Sequence, residues 1–155
     1  MQQSTMKTSP AVEAMSQLIG AHSTLTRKLS AELVEQHGLT MSEVEVLLLL
    51  SRAPDHSMRR IDLSRDVRLS PSGVTRMLDR MEATGLVKKG ACTEDGRVSY
   101  AVLTEKGMSR LQDAWPDHVE AIERLLGEQF DARELNQLRE LLNRVAGRVE
   151  CEPGS

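Results

Sequence analysis

From Ala11 to about Glu35, apolar side chains fall at Val12, Met15, Leu18, Ile19, Leu25, Leu29 and Leu33. That spacing of three and four residues predicts a helix with a narrow apolar stripe. Gly38 follows where a helix C-terminus favours glycine. Thr40 and Glu43 have the spacing of a capping box, ahead of Val44 and the run Leu47 to Leu50, and so predict a second helix. Ala53-Pro54-Asp55 ends it, because proline cannot extend the hydrogen-bond ladder.

Two short amphipathic pieces come next. Arg60 to Arg68 carries Ile61, Leu63 and Val67; Pro71 to Ala83 carries Val74, Met77, Leu78 and Met81. Ser70 is placed as an N-cap, and Pro71 occupies the first helical position, where its missing N–H costs nothing. Gly85 closes the second piece. Two short helices joined by a tight turn predict a helix-turn-helix. Beyond Gly85 the period falls to two: Val98, Tyr100 and Val102 alternate with Ser99 and Ala101, and Asp95-Gly96 is a hairpin-turn signal. Leu86 to Cys92 should therefore pair with Arg97 to Leu103 as an antiparallel ribbon, the wing.

The last third returns to helical spacing. Thr104 caps a helix bearing Leu111, Trp115, Val119, Ile122 and Leu126, in which Pro116 predicts a kink or break near Trp115. Asp131 and Glu134 open a further helix bearing Leu135, Leu138, Leu142, Val145 and Val149. Three terminal helices with apolar stripes exceed what one small winged module covers, which favours burial against a second copy of the chain. The fold class read from the pattern is mainly α with a small β-hairpin wing. Its parts are a tail at 1–10, an N-terminal dimerisation helix at 11–37 and a winged helix-turn-helix at 40–103. C-terminal dimerisation helices at 104–150 and a tail at 151–155 complete it.

Composition narrows the function. One Trp, one Tyr and one Phe leave an aliphatic core, which suits packed helices better than a β-sandwich. No run approaches the ~18 apolar residues of a membrane span, and Met1 to Pro10 lacks the apolar stretch of a secretory signal. Cys92 and Cys151 give no disulfide framework. A cytoplasmic chain without a membrane partner is the economical reading. The net charge of −3 is unevenly placed: Ser57 to Lys106 holds 10 basic against 7 acidic residues, while the remainder holds 10 against 16. A basic centre between acidic arms suits a chain whose middle alone meets a polyanion.

The run Leu69-Ser70-Pro71-Ser72-Gly73-Val74-Thr75-Arg76-Met77-Leu78-Asp79-Arg80-Met81-Glu82, followed by Gly85-Leu86-Val87, resembles the recognition helix of the multiple-antibiotic-resistance regulator (MarR) family. Glu94-Asp95-Gly96-Arg97 is similar to that family's wing tip, and Leu103-Thr104-Glu105-Lys106-Gly107 to its entry into the dimerisation helices. The resemblance covers roughly Ala11 to Val149, in the family's order. It implies a homodimer with interlocked terminal helices, two DNA-reading lobes on a pseudo-palindromic operator, and in many members a small-molecule effector pocket between lobe and dimer helices. Repression is the family's common behaviour.

Residue chemistry supports the mapping separately. With Val74, Met77, Leu78 and Met81 inward, the second short helix turns Ser72, Thr75, Arg76, Asp79 and Arg80 outward, and a helix of this size fits the major groove. Ser70 and Ser72 stand at its N-terminus, where backbone N–H groups favour a phosphate. Arg76 is the candidate for bidentate contact with guanine, worth ~1–3 kcal/mol of discrimination, and Thr75 for a thymine methyl or a phosphate. Arg80 and Arg60 are read as positioning contacts. Arg97 at the hairpin tip suits a narrow minor groove, with Asp95 holding it by a charge-assisted pair.

Other readings compete at particular residues. Arg76 and Arg80 also fit ordinary solvated helix charges. Lys88 and Lys89 are read as edge-strand charges that oppose aggregation, with phosphate contact as the alternative. His22, His37, His56 and His118 lack metal-ligand spacing, which leaves a metal sensor only by convergence across a dimer. His22 falls on the first apolar stripe and is read as a buried, hydrogen-bonded histidine. It and Trp115, if turned inward at Pro116, are the candidates for lining an effector pocket. Cys92 beside Lys88 and Lys89 is the candidate for a redox-responsive thiol. No cofactor is implied, and no phosphate loop, nucleophile spacing or carboxylate pair suggests an enzyme. The rival from another class is a helical protein-interaction module, which leaves Arg76 and Arg97 without a purpose.

Overall fold

The computed structural model describes residues 9–67, 69–90 and 98–149. Helix α1 (Pro10–His37) begins at Ser9, whose Oγ accepts from Val12 N at 3.4 Å. It ends on Gly38 at φ 63°, whose N–H donates to Val34 O. Glycine takes that left-handed conformation without a Cβ penalty. Helix α2 (Met41–Arg52) opens with the capping box: Glu43 N donates to Thr40 Oγ1 at 3.3 Å, and Thr40 N to Glu43 Oε2 at 2.8 Å. A short turn at Pro54–His56 leads into β1 (Ser57–Arg59) and then α3 (Arg60–Asp66).

Helix α4 (Pro71–Ala83) starts on Ser70, whose Oγ accepts from Gly73 N at 3.1 Å. It closes with Gly85 at φ 75°, where Gly85 N donates to Glu82 O and Leu86 N to Met81 O. This paired closure satisfies two of the carbonyls that a helix end leaves open. Strands β2 (Val87–Lys89) and β3 (Tyr100–Leu103) pair antiparallel with Val87 opposite Leu103, the expected ribbon. The ribbon gains a third strand that the sequence pattern did not suggest. β1 pairs with the other edge of β3, Met58 opposite Ala101, giving the order β1-β3-β2. Three residues are too few to display an alternation. The inward phase of β3 is Ala101 and Leu103, whereas Tyr100 and Val102 are half-buried.

Helix α5 (Glu105–Leu125) is capped as expected, with Gly107 N donating to Thr104 Oγ1 at 3.0 Å. It does not break at Pro116, which stands inside the helix. Proline removes one donor and crowds one earlier carbonyl, and the turns on either side keep the remaining ladder. Helix α6 (Ala132–Val149) has a reciprocal cap, Glu134 N to Asp131 Oδ1 at 2.8 Å and Asp131 N to Glu134 Oε2 at 2.9 Å.

The chain divides into two compact units, Met1–Pro116 and Asp117–Ser155. The first holds an aliphatic core: Val44, Val46, Leu47 and Leu50 from α2, Leu63 from α3, Val74, Met77, Leu78 and Met81 from α4, then Leu86, Val87, Ala101, Leu103 and Leu111. Burying each large side chain contributes roughly 1.5–3 kcal/mol, so α4 is fixed by its inner face and leaves its outer face for other work. Only the C-terminal half of α1 is buried, at Leu29 and Leu33, and Leu33 joins this core. Val12, Met15, Leu18 and Ile19 remain 41–58% exposed. In the second unit His118 and Ala121 are buried, while Leu141, Leu142 and Val145 on α6 are exposed. No helix among the described residues is long and apolar enough to cross a membrane.

Candidate nucleic-acid interface

The helical period sorts α4 into faces. Val74, Met77, Leu78 and Met81 are buried, and Ser72, Thr75, Arg76, Asp79 and Arg80 are exposed. At the N-terminus, Ser70 Oγ lies 3.2 Å from Ser72 Oγ while it caps Gly73. Thr75 Oγ1 donates back to Pro71 O at 2.9 Å, which leaves the methyl as the apolar part of an exposed side chain. Arg76 stands in the middle of the outward face and forms no ion pair with any described residue. A guanidinium without an internal carboxylate is open to an external acceptor.

The other two arginines are engaged within the lobe. Arg80 lies on one shoulder of α4, its Nη2 3.9 Å from Glu43 Oε1 of α2. Arg60 approaches from the opposite shoulder, with Nη1 3.5 Å from Asp79 Oδ1 and Nη2 3.7 Å from Glu82 Oε2. Its side chain is only 18% exposed, so its charge faces two carboxylates rather than solvent. The sequence reading missed these acceptors. Asp79 and Glu82, three residues apart on a helix, share one side, and that spacing was the available signal. Arg59 is held by Asp62 at 2.6 Å, and this hydrogen-bonded pair raises its already high pKa.

Behind α4 the start of α5 is bolted to that helix's C-terminal end. Thr104 Oγ1 donates to Gly85 O at 2.6 Å, Thr104 N to Leu86 O at 3.2 Å, and Lys106 Nζ to Thr84 O at 2.7 Å. Arg110 Nη2 donates to His37 O at the end of α1. Cations at helix C-termini meet the negative end of the helix dipole. Thr84, Lys106 and Arg110, with Gly38, Leu39, Glu43, Arg80 and Leu86, line an open cavity of about 450 Å³.

A model of the MarR family matches residues 39–99, which span α2, the helix-turn-helix and β2 and end just before β3. The regulator MhqR of Bacillus subtilis, a helix-turn-helix transcriptional regulator, is 31% identical over 112 residues, 72% of this chain and 75% of its own. The chain belongs to the MarR family. Its fold follows AbsC, a MarR-family transcriptional regulator from Streptomyces coelicolor, at 28% identity and a TM-score of 0.84, covering 96% of this chain and 100% of that one. Sco3205 from the same organism, solved in complex with DNA, shares the fold with a TM-score of 0.87 at 21% identity, covering 96% of this chain and 94% of its own. These relatives are transcriptional regulators.

Within this MarR-family frame, Ser70, Ser72, Thr75 and Arg76 gather on one end and face of α4, with Arg80 and Arg60 at its shoulders. Asp95 and Arg97 lie outside the described residues, as do Cys92 and Cys151. His22 is exposed, which corrects its expected burial. Trp115 is half-buried and packs against the core, and neither it nor His22 lines the cavity behind α4. His118 is the buried histidine, and burial pushes its pKa down. Among the described residues no cluster of His, Cys, Asp or Glu has the arrangement of a metal site.

Proposed function

We propose that this MarR-family regulator grips duplex DNA as a homodimer, with α4 of each protomer in successive major grooves about 34 Å apart. The observation that carries the reading is the outward face of α4: its N-terminal hydroxyls, Thr75 and an uncommitted Arg76, on a helix whose other face is locked into the core. Asp95 and Arg97 enter from the sequence as the wing-tip pair, Arg97 for the minor groove and Asp95 to orient it. The exposed stripes of α1 and α6 support dimerisation, since apolar surface of this extent favours a partner. Repression of its own or neighbouring genes, in the cytoplasm, rests on the family's common behaviour. A small-molecule effector preferring one lobe arrangement would shift the population off DNA in proportion to its differential affinity. The open cavity behind α4 is one place within the lobe with room for such a ligand.

The test is fluorescence anisotropy across a salt series, using duplex from upstream of the chain's own gene against scrambled duplex. The reading expects a large preference for the former and a steep salt dependence. Arg76→Ala should relax preference at particular base positions by ~1–3 kcal/mol. A uniform loss across all sequences would make Arg76 a phosphate contact, and equal weak binding of both duplexes by the unmodified protein would refute the proposal.

A further inference from the structure

Arg60 joins more elements than a surface charge needs to. Its backbone N–H donates to Ser99 O at 2.9 Å, on the arm leading into β3. Its guanidinium reaches the other way, to Asp79 at 3.5 Å and Glu82 at 3.7 Å on α4. Glu82 Oε2 in turn lies 3.8 Å from Lys89 Nζ of β2. The residue at the start of α3 thus stands between α4 and the ribbon: its backbone is tied to the β3 arm, its side chain to α4, and Glu82 carries the chain of charges on to β2. Its Nε is buried without a hydrogen bond, a cost that a freely solvated arginine would avoid. Two ion pairs hold it there instead.

The carboxylates matter because of where they stand. Asp79 is 56% exposed on the outward face of α4, where phosphates would approach. An uncompensated acid there repels the polyanion. We propose that Arg60 is a positioning residue that sets α4 against the ribbon and masks Asp79 and Glu82 from phosphate, without itself touching DNA. The proposal rests on the reading that α4 enters the groove, and it replaces the expectation that Arg60 contacts the backbone.

A double-mutant cycle separates these roles. The probes are a labelled duplex selected from a random library by the unmodified protein, and a random duplex. Arg60→Met should weaken binding of the selected duplex at least about threefold, while in an Asp79→Asn/Glu82→Gln background it should change binding by less than about twofold. An equal loss in both backgrounds would overturn the proposal, because a phosphate contact or a general fold defect does not depend on those acids. Glu82→Gln keeps Arg60 and the core in place. It should bind random duplex no more weakly, yet show a smaller ratio of selected to random affinity. An unchanged ratio also overturns the proposal. If the unmodified protein selects no duplex at all, the groove reading itself has failed, and the proposal with it.

Discussion

Gly107 stands in the first turn of α5, where alanine ordinarily stabilises a helix by about 1 kcal/mol relative to glycine. Here the sign should reverse. A Cβ on Gly107 would lie 2.1 Å from Leu86 O and 2.8 Å from Leu103 Cδ1. The first neighbour is a backbone carbonyl that already accepts from Thr104 N, and it cannot rotate aside as a flexible side chain would. Restoring ordinary contact requires α5 to move by more than an ångström, which loosens the Thr104 bonds to Gly85 and Leu86. Overpacking of this kind costs ~1–3 kcal/mol, and each weakened bond adds about 1 kcal/mol. Set against the helix gain, Gly107→Ala should destabilise by about 2–4 kcal/mol, lowering Tm by roughly 4–16 °C for a chain of this size. Urea unfolding followed by fluorescence of Trp115, the single tryptophan, reads the change directly because that ring packs against the core. Gly147→Ala on α6 is the control, since a Cβ there meets nothing within 4 Å. A Gly107→Ala protein as stable as the parent would refute the docking of α5 on Leu86.

Ile19, 58% exposed on α1, should be part of the dimer surface; Ile19→Glu should yield a folded monomer by sedimentation velocity, and an unaltered dimer would remove α1 from the interface. Burial holds the His118 pKa below its ordinary 6.5. The unfolded chain therefore binds a proton that the folded chain refuses, so this stabilising contribution is complete above about pH 6.5 and declines as pH falls through that value. Urea midpoints of His118→Gln should fall less between neutral and mildly acid pH than those of the parent, and parallel curves would contradict the assignment.

What the sequence made legible was chemistry between near neighbours. The caps at Thr40 with Glu43, Ser70 with Gly73, Thr104 with Gly107 and Asp131 with Glu134 each span three residues, and all form. The inner face of α4 was equally readable, because its apolar positions repeat at helical spacing. What escaped depends on distant partners. β1 is a strand only because β3, more than forty residues later, offers it an edge. Arg60 looked like a groove-side cation until the fold brought Asp79 and Glu82 within reach of it. His22 falls on an apolar stripe yet is exposed, because the register of a stripe does not say what covers it. Pro116 was read as a kink or a break from its local effect alone, and the break does not occur because α5 runs on through it.

The division of α4 into an inner and an outer face has a bearing on how such a regulator changes its targets. Ser72, Thr75 and Arg76 are exposed and contribute nothing to the packed interior, so on the proposed reading new operator preferences can arise there by single substitutions without a compensating repair of the core. Asp79 is the exception on that face, since its tie to Arg60 makes it answer to the lobe's architecture as well as to DNA. Drift in target choice should therefore run along the first two turns of the helix and stall at the third, where a change in the code also needs a change at residue 60.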